Sequence, residues 1–235
     1  MQPLLAHEQI IDLYGARVEA VETEEPREPL LPKFLGRKPP PSAMEQLIAR
    51  RVIAEGPGQL ATVRTAAPAL YQILVENLGK AYCMHGQLDE GRRYLEEAIA
   101  LYPKGENYAE EVADLLFILA RAYDERLDLD ATAGYLTRIA QVVEHEDAQV
   151  YTNIMTMLFE AHQRRRDYPQ AMAVLRAVRP LAAKTMLPGD QVALLIHLST
   201  TELFCQEYAA ARDTATQGLA QAEALGQPQH RGTLR

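Results

Sequence analysis

The sequence predicts an all-α solenoid of helix–turn–helix hairpins, and three observations predict it. A pattern of apolar and small residues recurs four times with a period of about 40 residues. Each recurrence divides into two runs of helical spacing. Ala and Leu dominate, aromatic residues make up 6% and Trp is absent, which suits helices better than a β-sandwich. At 235 residues the chain can bury a substantial core, as one domain or as an elongated array.

The recurrence can be followed residue by residue. Leu78 is followed by Gly79, Tyr82, Leu88, Gly91, Leu95 and Ala98. From Leu119 the same offsets hold Ala120, Tyr123, Leu129, Thr132, Leu136 and Ile139. From Leu158 they hold Phe159, His162, Tyr168, Ala171, Leu175 and Val178, and from Leu198, Ser199, Glu202, Tyr208, Ala211, Ala215 and Gly218. In the first unit Val75, Leu78 and Tyr82 form one helical stripe, and Leu88, Gly91, Leu95 and Ala98 the next. Gly86 lies between them, where a residue at ease with positive φ ends a helix. Asp89 suits the N-terminal end of the second helix, and Pro103 stops it. The small residues Gly91, Thr132, Ala171 and Ala211 mark where two antiparallel helices cross closely.

These residues resemble the tetratricopeptide repeat (TPR). Val75, Leu78, Gly79, Tyr82, Gly86, Leu88, Gly91, Leu95, Ala98 and Pro103 occupy the offsets of that pattern, with conservative swaps at Leu88, Gly91 and Leu95. The period exceeds the usual ~34 residues, which implies longer helices and resembles the long-repeat arrays of bacterial signalling regulators. The resemblance covers residues 68–226 and implies a right-handed superhelical solenoid of four TPR-like repeats.

In the N-terminal third, Leu4, Ile11, Tyr14, Val18 and Val21 form one apolar stripe, so residues 1–23 read as an amphipathic helix that packs on the solenoid end or on another subunit. Residues 24–42 hold six prolines and read as an extended connector. Ser42 and Glu45 form a capping box, so a helix begins there and runs to about Glu55. Gly56-Pro57-Gly58 breaks it, and a second helix to Ala67 completes a degenerate leading pair over 43–67. Residues 227–235 read as a C-terminal tail. No polar capping helix is evident there, which leaves room for further repeats, and a DNA-binding domain is expected outside this chain if anywhere.

The net charge of −8 argues against a nucleic-acid footprint, and no run approaches the ~20 apolar residues of a membrane span. No phosphate-binding glycine loop, nucleophile elbow or His-Glu-x-x-His is present. Cys83 and Cys205 lie far apart and read as reduced thiols. Glu144-His145-Glu146-Asp147 gathers metal-ligand types, but adjacent residues diverge, so no metal and no cofactor is expected. His162 takes the Tyr place of its repeat and reads as a half-buried packing residue. The cations of His162–Asp167 complement a helix end.

What remains is a surface. In TPR-like superhelices the first helix of each pair lines an inner groove. The positions not used by the core place Glu76, Lys80 and Met84 there from the first unit, and Asp114, Phe117 and Arg121 from the second. They add Asn153, Glu160 and Arg164 from the third and Thr200 and Phe204 from the fourth. Lys80 and Arg121 suit a carboxylate, Asn153 a peptide backbone and Phe204 an apolar side chain. The alternative is that Lys80 and Arg121 pair with Glu76, Asp124 or Glu125 on their own helices. The function expected is a non-enzymatic, cytoplasmic protein- or peptide-binding module, the sensor or assembly part of a bacterial regulator. A self-associating scaffold or co-chaperone, homo-oligomeric through the N-terminal helix or a solenoid end, is the alternative. A helical accessory domain of an enzyme is the third reading.

Overall fold

The protein is seen in a computed structural model that describes residues 42–226, residue 106 apart. The segments 1–23 and 227–235, and the connector up to residue 41, lie outside the described residues.

Ten helices and no strand occur among the described residues. α1 (Ala43–Ala66) leads, and four hairpins follow: α2 (Pro68–Met84) with α3 (Leu88–Leu101), α4 (Tyr108–Glu125) with α5 (Leu129–Val143), α6 (Ala148–Arg164) with α7 (Tyr168–Val178), and α9 (Pro188–Phe204) with α10 (Tyr208–Ala224). The one-turn helix α8 (Ala182–Thr185) lies between the third and fourth hairpins. The all-α, right-handed solenoid is the fold the repeat implied.

The leading pair predicted over 43–67 is instead one helix. Ser42 caps it as expected: its Oγ accepts from the Glu45 N–H at 3.2 Å, and Glu45 Oε2 accepts from the Ser42 N–H at 2.7 Å. Gly56-Pro57-Gly58 does not break the helix. Pro57 is exposed, and Gly56 is buried against α2, where an added Cβ would stand 2.8 Å from Leu78 Cδ2. Close packing on Leu78 explains Gly56, and tertiary contact overrides the local breaker.

The small-residue position closes the first hairpin. A Cβ on Gly91 would lie 2.5 Å from Cys83 Sγ and 2.9 Å from the Cys83 nitrogen. One on Gly79 would lie 2.9 Å from the Leu95 nitrogen. The two backbones therefore nearly touch. Thr132, Ala171 and Ala211 are buried at the same offset. Around this seam, Leu78, Leu95, Leu119, Leu136, Leu158, Leu175 and Leu198 are all buried, each worth roughly 2 kcal/mol of transfer free energy.

Each hairpin turns through a left-handed residue. Gly86 has φ 72°, and Leu127, Arg166 and Gln206 have φ 61°, 60° and 64° at the same offset. In each turn the following N–H reaches back to the carbonyl five residues earlier: Gln87 to Tyr82, Asp128 to Tyr123, Asp167 to His162 and Glu207 to Glu202, at 2.8–3.0 Å. This Schellman closure sets the hairpin geometry, so three units tolerate a left-handed L-residue where the first uses glycine.

In the first three hairpins the residue before the left-handed position ties the unit to the one before it. His85 Nε2 lies 3.4 Å from the Gln46 carbonyl, Arg126 donates to the Gly86 carbonyl, and Arg165 pairs with Asp130. The Tyr place just upstream stacks on a second-helix tyrosine in two units, Tyr82 on Tyr94 and Tyr123 on Tyr135, both at 5.5 Å. His162 takes that place in the third unit and is more buried than expected. Burial lowers its pKa, and Asp167 only partly opposes this. Glu202 takes it in the fourth, buried and held by Arg176 at 3.2 Å.

Leu127 is 72% exposed, so Leu127→Gly removes little packing while relieving the left-handed backbone. It should raise unfolding free energy by about 0.5–1 kcal/mol in denaturant titration. Gly91→Ala should lower it by about 1–3 kcal/mol, because the seam cannot open for a methyl group without shifting both helices.

Candidate functional site

The second helix of each hairpin covers one side of its first helix, and neighbouring units cover the flanks. The charged and half-exposed residues of α2, α4, α6 and α9 are what that packing leaves. Two local constellations result.

The first joins α2 to α4. Glu76, Lys80 and Asp114 come together with Tyr102, which sequence reasoning missed. Lys80 pairs with one oxygen of Glu76, and the Tyr102 hydroxyl donates to the other at 2.6 Å. Burial and the Glu76 carboxylate hold the Tyr102 phenol well above its ordinary range. Asp114 is pushed up to about 6, mainly by burial and further by Glu111, Glu110 and Glu76, while Lys80 pulls the other way. Tyr102 comes from the α3–α4 loop, and its only sequence signal is its place just before Pro103.

The second lies between α4 and α6. Ala120, Leu136, Met157 and Ala161, with the buried Thr132, floor a shallow cleft with room of about 80 Å³, and Arg121, Asp124, Glu160 and Arg164 line its rim. Arg121, Glu160 and Arg164 were expected on this face, and the structure brings them to one cleft. Arg164 pairs with Asp124 across the two helices, and Arg121 with Glu125 at 3.6 Å on its own helix. Asp124 and Arg164 stand one repeat apart in sequence, a signal that could have found the pair.

The remaining residues are dispersed. Met84 is exposed at the end of α2. Asn153 Oδ1 accepts from Gln149 Nε2 at 3.2 Å on α6. Thr200 is half-buried in α9. Phe204 is exposed yet stacked on Tyr168 at 4.4 Å, so one face is already covered. Phe117 does not face outward: it is 5% exposed, in the core. α4 is packed by units on both sides, so its buried stripe is broad enough to take in Leu115, Leu116 and Phe117 together. The expectation that Lys80 and Arg121 hold a partner's carboxylate is also revised. Lys80 and Arg121 both pair with carboxylates on their own helices, as the alternative reading had it.

No group of three or more His, Cys, Asp or Glu side chains among the described residues could hold a metal ion. No helix among them is long and apolar enough to cross a membrane. Burial raises the Cys83 thiol to about 11, so it is protonated at neutral pH.

The raised Asp114 carboxyl carries a stability consequence. Its proton is held more tightly folded than unfolded, so its contribution is present at low pH and is lost as pH rises from about 4 through about 6. Asp114→Asn should therefore stabilise the protein at pH 7.5 on the order of 1–2 kcal/mol more than at pH 4.5, read from paired denaturant titrations.

Neither family models nor curated proteins match this chain. Solved structures do. RapI in its apo form is similar at a TM-score of 0.52 and 14% identity, over 77% of this chain and 52% of RapI. A putative kinesin light chain with TPR-like repeats from Podosopora anserina gives 0.47 at 17% identity, over 77% of this chain and 94% of that one. The tetratricopeptide-repeat sensor protein PH0952, a signal-transduction ATPase from Pyrococcus horikoshii, gives 0.44 at 16%, over 79% of this chain and 32% of that one. At these identities the likeness is one of fold, and the fold is that of a TPR-like helical repeat protein.

Proposed function

We propose that the chain is a non-enzymatic protein-interaction module that takes an extended segment of a partner along the face of α2, α4, α6 and α9. The cleft between α4 and α6 carries this reading. It combines an apolar floor, to which Leu136 of α5 contributes, with a charged rim on α4 and α6, which is the build of a small side-chain pocket within a peptide groove. Long TPR-like repeats resemble those of bacterial signalling regulators, and we read the module as the sensor or assembly part of such a protein.

Met157→Trp fills the cleft without adding charge. Partners captured from an extract of the source cells by the wild-type chain should be lost by this variant. They should be kept by Arg212→Glu on α10, whose side chain is 81% exposed. Capture that survives Met157→Trp would place the interaction elsewhere and overturn the groove reading.

A further inference from the structure

The segment the groove accepts can be specified further by the charge its walls leave over. Resting on the groove reading above, we infer that its occupant is an extended, positively charged peptide segment with Lys or Arg side chains alternating with apolar ones.

The first helices α2, α4, α6 and α9 carry eight carboxylates that are exposed or half-buried and only three cations. Each of those cations is already neutralised within the array: Lys80 by Glu76, Arg121 by Glu125 and Arg164 by Asp124. The first helices therefore carry an excess of acid, and Asp114 and Glu160 are the members of it at the offsets expected to line the groove. An anionic segment would have to compete with Glu76, Glu125 and Asp124 for these cations and would meet Asp114 and Glu160 as well. A cationic one would find acids at two successive units, Asp114 beside Glu76 on the α2 side and Glu160 at the rim of the apolar-floored cleft.

Asp114 adds a second strand of argument. It is partly withdrawn from water among Glu76, Glu111 and Glu110, with Lys80 as the facing cation and Tyr102 beside Glu76. Lys80 is itself engaged by Glu76, and Asp114 remains raised to about 6 despite it. A carboxylate held in that state gains from a cation supplied by a partner. Binding should then weaken as pH falls through about 6, where Asp114 takes up a proton.

Three fluorescently labelled peptides of about twelve residues test this, alternating Leu with Lys, with Gln or with Glu. Anisotropy is read for the full chain at low salt. The Leu-Lys peptide should bind about tenfold or more tighter than the Leu-Gln peptide, and the Leu-Glu peptide weakest. Asp114→Asn with Glu160→Gln should cost the Leu-Lys peptide about tenfold, and Met157→Trp should abolish its binding. Neutralising two outer carboxylates, Asp89→Asn with Asp213→Asn, should change nothing; an equal loss there would mean attraction to net charge alone and overturn the inference. If the Leu-Gln or Leu-Glu peptide binds as tightly and remains sensitive to Met157→Trp, the groove stands and the charge preference is wrong. If no peptide binds, or if the Leu-Lys peptide binds regardless of Met157→Trp, the inference fails, and the groove reading is judged separately by the capture experiment.

Discussion

The array depends on how closely the two helices of a hairpin approach. In the first unit Gly79 and Gly91 let the α2 and α3 backbones come within a methyl group of contact. Thr132, Ala171 and Ala211 keep the same position small in the others. That approach buries the leucines on either side of the seam. It also leaves the opposite side of the first helix without a covering layer. The proposed groove is thus a by-product of the packing that makes the hairpin stable. A solenoid whose hairpins opened would lose both its core and the face we propose for binding.

The second constraint is the turn. Four left-handed residues at one repeat offset, with the same backbone closure, hold the hairpins in one geometry although only the first turn uses glycine. Contacts between units then recur one period apart, as in Arg126 to the Gly86 carbonyl and Arg164 to Asp124. The fourth unit departs most from the pattern. Its tyrosine place holds a buried Glu202 tied to Arg176 of the unit before, and α10 packs through Ala211, Thr214, Gly218 and Ala222. Small side chains bury little apolar area, so the packing of α10 on this unit is thin.

Fold and register were legible because they rest on spacing. The offsets of Leu78, Tyr82, Gly91 and their equivalents show which residues are buried and where each hairpin turns. The faults lay where packing overrides local chemistry. Gly56-Pro57-Gly58 reads as a breaker, yet Gly56 is small because Leu78 presses on it. Phe117 stands at a groove offset, yet a helix flanked on two sides buries more than one stripe. The groove was only partly legible. Helix periodicity places Glu76, Lys80, Asp114, Arg121, Glu160 and Arg164 on one face. Which acid takes which cation is decided by side-chain reach across units, as with Tyr102 on Glu76 and Asp124 on Arg164. Sequence spacing shows the cations and does not show that they are spent.

The central claim is that the first helices, and not the second, receive the partner segment. The seven methionines of the chain provide reporters, with Met84 and Met157 on first helices and Met172 on α7. The most direct measurement is a methyl NMR titration of the chain, labelled at methionine, with the leucine–lysine peptide. The account predicts that the Met157 signal shifts most and Met84 next, with Met172 unmoved. A shift confined to Met172 would put the partner on the outer face and contradict it.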